Sequence, residues 1–402
     1  MTFARVWPTG IGDNVRITGA TFTQIDLNIS RAVDGYAGGK VSPIAPIRIS
    51  GGGLAVSDRN EDAFFSTFGA KWLGAAMDLI PASTDSTVGS QPDDVCSQGD
   101  GFMALVDSSA AGEVKLSTDG GASWQDPTTS GFGSHNFQCC ASSDIITLFG
   151  ASDGSMRSAD LRSGTSSSLA ITGATVTLPG SPTSIDAIFY DQVHDLFVAI
   201  GKTSSTPYIA TLTNTATPVA TQRTPPAAIT GSNAGLKISQ RSNGRLVASW
   251  IAQTKLAYSD DGVTWTASTT TFTAGAYTHT FGDGVFLAVS TAGVGNFIAT
   301  SIDGDVWVTG TARPSGNTLT LASPRCLTAL YGVFVASFPL GQIYFSIDRG
   351  ATWILATRIY RSSPTVAALS SFCVRAIKGR LFFGMNGQLY RSRLLGSHAA
   401  GL

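Results

Sequence analysis

The sequence predicts an all-β propeller of eight four-stranded blades, or seven in the alternative count, entered through a short N-terminal arm. Three observations predict it. A unit of paired apolar strands recurs along the chain, the composition suits short strands and tight turns, and one turn sequence returns in phase with that unit.

Composition comes first because it bounds the class. With 45 Gly, abundant Ser and Thr and only 13% charged residues among 402, the chain reads as strands joined by turns, not as amphipathic helices. A hydrophobic fraction of 43% is enough for a large core. The formal net charge is −1 and no Lys/Arg run occurs, so neither a phosphate-neutralising nucleic-acid surface nor a polybasic membrane patch is expected. No segment approaches a membrane span, and the opening MTFARVWPTGIGDN lacks the pattern of a secretory signal, so synthesis in a cytoplasm, or export by something other than that signal, is expected.

The repeat is a turn residue, an apolar strand, a polar gap and a second strand ending in Ser. Examples are GFMALVDSSAAGEVKLSTDGGASW, GRLVASWIAQTKLAYSDDGVTW and GVFVASFPLGQIYFSIDRGATW. Equivalent apolar positions are Leu54, Met103, Ile146, Phe197, Leu246, Phe286, Phe334 and Leu381, at steps of 40–51 residues. That period fits a four-stranded blade, and one such meander cannot bury both of its faces alone. Eight units suggest eight blades. Seven follows if the first unit, GGGLAVSDRNEDAFFSTFGAKW, which has lost its turn Asp, serves instead to complete the last blade. Little chain remains after Tyr390, so an N-terminal strand is expected to close that blade. Cys96, Cys140, Cys326 and Cys373 fall just before the strand pair of their units, which places them on innermost strands as buried free thiols. No CxxC spacing supports a metal site, and no cofactor is expected.

Four units share a terminal turn. Two are full length, Ser117-Thr118-Asp119-Gly120-Gly121-Ala122-Ser123-Trp124 and Ser346-Ile347-Asp348-Arg349-Gly350-Ala351-Thr352-Trp353. Two are one residue shorter, Ser259-Asp260-Asp261-Gly262-Val263-Thr264-Trp265 and Ser301-Ile302-Asp303-Gly304-Asp305-Val306-Trp307. The chemistry suits a turn: the carboxylate accepts from the turn's own N–H groups, Gly takes a positive φ, and Trp folds back as an apolar plug. These turns resemble the Asp-box (BNR) repeat of sialidase-like propellers over roughly residues 50–396. That resemblance implies a propeller whose Asp119, Asp261, Asp303 and Asp348 are structural and lie on the outer rim.

Sialidase chemistry is a separate matter. The resemblance implies an arginine triad, a Tyr nucleophile activated by Glu, and an Asp acid. The chain has two glutamates, Glu61 and Glu113, both in hairpin gaps, and Pro46-Ile47-Arg48-Ile49-Ser50 is a poor counterpart of the family's Arg-Ile-Pro motif. Arg358-Ile359-Tyr360-Arg361 is the densest Tyr/Arg cluster and reads as an exposed basic turn. His135, His194, His279 and His398 lie in separate units without metal-ligand spacing, and no GxSxG, HExxH or P-loop occurs. No catalytic set is therefore expected. A paired-Asp glycosidase stays open, although no pair stands out.

Residues 1–44 lie outside the repeat and are expected to form an attachment arm. Phe22, Ile25, Ile29 and Val33, with Ala32, follow a helical face, and Gly35 is a plausible stop, so a short helix near 22–34 is favoured over the strand that Ile25, Leu27 and Ile29 would suit. The run TFTQIDLNISRAVDGYAGGKVSPIAPIRISGGG resembles openings of bacteriophage virion surface and fibre proteins. That resemblance implies a non-enzymatic virion protein, oligomeric, docked to other virion proteins through residues 1–44, with host-surface glycan as a candidate ligand. The alternative is a glycan-binding or glycan-hydrolysing propeller that uses its axial face.

Overall fold

The computed structural model describes residues 47–50, 53–56, 80–81, 92–99, 101–108, 114–126, 128–163, 170–231, 233–272, 277–290, 298–310, 326–330, 332–338, 342–358, 371–385 and 388–392. The chain divides into two compact units, Met1–Ala76 with Leu394–Leu402, and Met77–Arg393. In the first, Ile47–Ser50 and Gly53–Val56 pair as an antiparallel hairpin in which Ser50 faces Gly53. The expected arm residues Phe22, Ile25, Ile29 and Val33, and the helix near 22–34, lie outside the described residues.

The second unit is a seven-bladed propeller. Counting from the inside outwards, the sheets begin at Pro92–Gln98, Phe137–Ser142, Ser184–Asp191, Gly235–Gln240, Tyr277–Gly282, Leu327–Leu330 and Ser371–Ile377, which define blades 1 to 7. Successive strands of a blade are antiparallel neighbours, so each blade is a meander. Of the two expected counts, eight is corrected and the alternative of seven holds. The strand Gly53–Val56, read as the core of a first blade, finds its partner locally, because two glycines separate it from the alternating run Ile47–Ser50. The other seven repeat positions fall at the start of a blade's second strand, Ile146 immediately before it, and are buried, from Ile146 at 4% exposure to Phe197, Leu246, Phe286 and Phe334 at 0%.

Blade 7 ends with Gln388–Arg391, and its outermost strand comes from the other end of the chain: Ile80 pairs with Arg391 and Pro81 with Tyr390. An N-terminal strand was the expected closure, and this is that strand. Pro fits there because an outermost strand has an edge that needs no donor.

The core is divided among the clefts between blades. One cluster joins Ala141 and Leu148 of blade 2 to Ile188 and Phe197 of blade 3; another joins Val198 and Ile200 of blade 3 to Leu246 and Trp250 of blade 4. A third joins Met103 and Leu105 of blade 1 to Phe382 and Leu389 of blade 7, which closes the ring. Burying each such side chain contributes about 1.5–3 kcal/mol, and no blade collects it without a neighbour. Blade 2 departs from the pattern. Between its third and fourth strands the chain makes a 3-10 turn at Leu161–Ser163, and Ala170–Thr172 then pairs in parallel with Thr128–Ser130 beyond blade 1.

Candidate functional site

The four Ser-x-Asp turns connect the third strand of a blade to its outer edge. In each, the Ser hydroxyl donates to the Asp: Ser117 at 2.8 Å, Ser259 at 2.9 Å, Ser301 at 3.0 Å and Ser346 at 2.7 Å. The same Asp oxygen then accepts backbone N–H groups further along. Asp119 Oδ1 takes Ala122 and Ser123 at 2.8 and 2.9 Å, and Asp261 Oδ1 takes Val263 and Thr264 at 2.8 and 2.7 Å. Asp303 Oδ1 takes Asp305 and Val306 at 3.0 and 3.1 Å, and Asp348 Oδ1 takes Thr352 at 2.8 Å. Burial alone would raise these carboxyl pKa values. The donated hydrogen bonds outweigh it, so all four sit below the usual carboxylate range, Asp261 at about 2. Trp124, Trp265, Trp307 and Trp353 fold back and are 4–7% exposed. In the two shorter turns the indole N–H donates to the turn glycine, Trp265 to Gly262 O at 3.0 Å and Trp307 to Gly304 O at 2.9 Å. Trp124 and Trp353 Nε1 are buried without a hydrogen bond.

The turns also act between blades, which the sequence reading missed. A Cβ on Gly121 would lie 2.6 Å from Phe382 Cε1 of blade 7, and one on Gly304 would lie 2.5 Å from Val247 Cγ2 of blade 4. Gly350 faces Leu287 of blade 5, and Gly262 faces Leu196 of blade 3. In every case the glycine presses on the second strand of the preceding blade. The turns are therefore joints as well as caps.

The second locus is the axis. An innermost strand has one edge without a strand neighbour, so its backbone groups need other partners. Side chains of adjacent blades supply them. Asp94 of blade 1 accepts Cys140 N of blade 2 at 3.2 Å and holds Arg375 of blade 7 through Nε at 2.5 Å and Nη2 at 2.7 Å. Asp186 of blade 3 accepts Gly235 N of blade 4 at 2.8 Å and Gln138 Nε2 of blade 2 at 2.9 Å. Lys237 of blade 4 donates to Leu327 O of blade 6 at 2.9 Å, and Cys373 Sγ contacts Pro92 O at 3.2 Å. Burial opposes the Arg375 charge, but the Asp94 carboxylate more than offsets this and raises its pKa. Burial, with Asp94 nearby, pushes the Cys373 thiol up, and burial beside Cys96 does the same to Cys140. Thiols held in that state are poor nucleophiles.

No family model matches the chain, and no curated protein matches it. Solved propellers do. The chain is similar to YCF48 bound to D1 peptide, with a TM-score of 0.56 at 14% identity over 78% of this chain and 94% of that one. YCF48 from Cyanidioschyzon merolae gives 0.53 at 13% identity over 79% and 98%. Virginiamycin B lyase from Staphylococcus aureus gives 0.55 at 10% identity over 78% and 97%. What they share is the fold. At such identities, a peptide-bound propeller and a lyase are equally compatible with this scaffold.

Cys96, Cys140 and Cys373 lie on innermost strands as expected, Cys326 immediately precedes one, and all are buried and in no disulfide. His135, His194 and His279 fall in blades 2, 3 and 5 and are not brought together, and among the described residues no cluster of His, Cys, Asp or Glu could hold a metal ion. Arg358 ends the strand Ile354–Arg358. Glu61, Glu113, Ile359, Tyr360, Arg361 and His398 lie outside the described residues. The axial pair Asp94–Arg375 had no sequence signal, being 281 residues apart with no motif around either partner.

Proposed function

We propose that this chain is a non-enzymatic structural propeller of a bacteriophage particle, attached through residues 1–44, assembled as a homo-oligomer and presenting its propeller to partners outside the particle. The observation that carries the non-enzymatic reading is how the carboxylates are used. The four turn aspartates each accept from their own turn, and Asp94 is taken up by Arg375 and a backbone N–H, which commits the first four to shaping turns and Asp94 to joining blades. An Asp that serves as a catalytic acid or base needs a free oxygen facing substrate. The resemblance of the segment around residues 21–53 to virion surface proteins supports the location. YCF48, similar in fold, has been captured with a peptide, which fits a propeller that binds rather than cleaves.

The test is particle incorporation. Phage made with residues 1–44 deleted from this protein should assemble particles that lack the propeller, while the truncated protein accumulates folded in the lysate. Incorporation at the wild-type level overturns the attachment reading. A glycan hydrolysis screen tests the other half: cleavage that one Asp substitution abolishes in a folded variant overturns the non-enzymatic reading.

A further inference from the structure

Blades 4 and 7 share a strand pair that they complete differently. In blade 4, Val247 faces Tyr258 and Leu246 faces Ser259. In blade 7, Phe382 faces Arg391, and Leu381 is bonded to Ser392 through both its N–H and its carbonyl. Arg380 therefore stands where Arg245 stands, and Arg391 where Tyr258 stands. The blade 4 guanidinium is closed off by a carboxylate. Arg245 lies over the Tyr258 ring at 5.0 Å and donates through Nε and Nη2 to Asp260 at 2.5 and 2.6 Å. Its Nη1 reaches Asp303 O, in the turn of blade 5, at 2.9 Å.

Blade 7 keeps the guanidinium and loses what held it. A second arginine replaces the aromatic ring, and Arg393 follows Ser392 where Asp260 follows Ser259. Arg380 and Phe382 alternate onto one face of their strand, and Arg391 lies opposite Phe382, so the two arginines flank that ring. This face is turned to blade 1, since a Cβ on Gly121 would lie 2.6 Å from Phe382 Cε1. Among the described residues neither guanidinium is in an ion pair, and Arg391 Nε is buried without a hydrogen bond. Burial, and then the Arg380 charge, hold the Arg391 pKa below its ordinary value. Asp119 of blade 1 acts the other way, but both of its oxygens are spent on its own turn. Two like charges left in this state are costly, and a carboxylate placed between them would offset that cost. Both side chains are half-buried, so a ligand reaches them from the rim and no enclosed cavity is needed. We propose that Arg380 and Arg391 form a docking site for an aspartate side chain presented by a partner protein, at the rim of the cleft between blades 7 and 1. The ligand class follows from blade 4, where the same register position is filled by an aspartate on a protein strand. The site stands apart from the attachment reading, since no residue of 1–44 enters it.

The probe is a capped tetrapeptide, Ser-Asp-Asp-Gly, which copies the end of the blade 4 strand, with Ser-Asn-Asn-Gly as its uncharged control. Each is titrated into the full-length protein at constant ionic strength while the Nε–H resonances of Arg380 and Arg391 are followed by NMR. With the acidic peptide both resonances should shift together and saturate with one half-point, at a concentration of about 1 mM or a few times higher. The control should move neither. Arg380→Lys keeps the charge but loses the fork, and the Arg391 shift should then need about tenfold more peptide, the loss of one charge-assisted hydrogen bond. If that variant does not fold, the two peptides on the wild-type protein decide alone. Resonances that stay still with the acidic peptide, or that move equally with the control, overturn the site. Undiminished binding in a folded Arg380→Lys protein reduces it to an unspecific cationic patch. Tighter binding of glucuronate than of the peptide would overturn the protein-ligand assignment in favour of a sugar acid.

Discussion

Replacing Asp94 by Ala should open the ring at its seam. Asp94 is fully buried, and its two oxygens receive Arg375 Nε and Nη2, Val95 N and Cys140 N. Removing it strands the guanidinium of blade 7 and an N–H of blade 2 at once. Breaking a buried ion pair by deleting one partner costs about 3–5 kcal/mol. Because the Arg375 side chain keeps 22% exposure it can partly rehydrate, so the lower end, about 3 kcal/mol, is expected. Against a total of about 5–15 kcal/mol for a typical domain, that is a large fraction. Arg375→Met should be at least as harmful, since the carboxylate it leaves behind has 0% exposure. In the double variant no lone charge remains, so its loss should fall short of the sum of the singles by about 2 kcal/mol or more. Urea unfolding followed by Trp fluorescence measures all three, and hydrogen exchange at Cys140 N reports the seam directly. An Asp94→Ala loss below about 1 kcal/mol, or strict additivity in the double variant, would refute the clasp argument.

Gly304→Ala should cost about 1–3 kcal/mol, because its φ of +78° is combined with a Cβ 2.5 Å from Val247, whereas Gly120→Ala, at φ +69° with nothing within 4 Å, should cost only about 1 kcal/mol; thermal melts compare them. Trp265→Phe should be more destabilising than Trp124→Phe by about 1 kcal/mol in urea titrations, since only Trp265 loses a hydrogen bond and Trp124 loses an unpaired N–H. The turn aspartates predict acid sensitivity of definite sign. Their folded pKa values lie below the ordinary 3.8, so their stabilisation is complete above about pH 4 and fades as pH falls through the folded values, about 2 for Asp261. Tm should therefore drop between pH 4 and 2, and Asp261→Asn should flatten that drop while lowering Tm at pH 7.

The repeat was legible because two local signals coincide in it, an apolar second strand and a turn whose Asp and Gly serve their own backbone. Both act within a few residues, and so sequence alone carries them. The hairpin Ile47–Val56 misled the count for the same reason: Gly53–Val56 has the local look of a blade strand, and nothing within it reveals whether six further partners surround it. Blade 2 lacks the turn because its chain detours through Leu161–Ser163 to reach the strand beyond blade 1, yet Ile146 still marked the blade. What the sequence could not reveal is whatever depends on neighbouring blades. The press of Gly121 on Phe382 and the Asp94–Arg375 pair exist only once the ring brings distant strands together.

The closing strand has a mechanical consequence. Residues before Met77 and residues after Arg393 belong to the other unit, and within the propeller Ile80 and Arg391 are cross-strand partners. Because the pairing is antiparallel, both covalent links leave the propeller at the same end of the same pair. Gln388–Arg391 is held on both sides, by two register pairs to Ile80–Pro81 and by four to Arg380–Met385, so the last blade cannot leave the ring without parting strands from both ends of the chain.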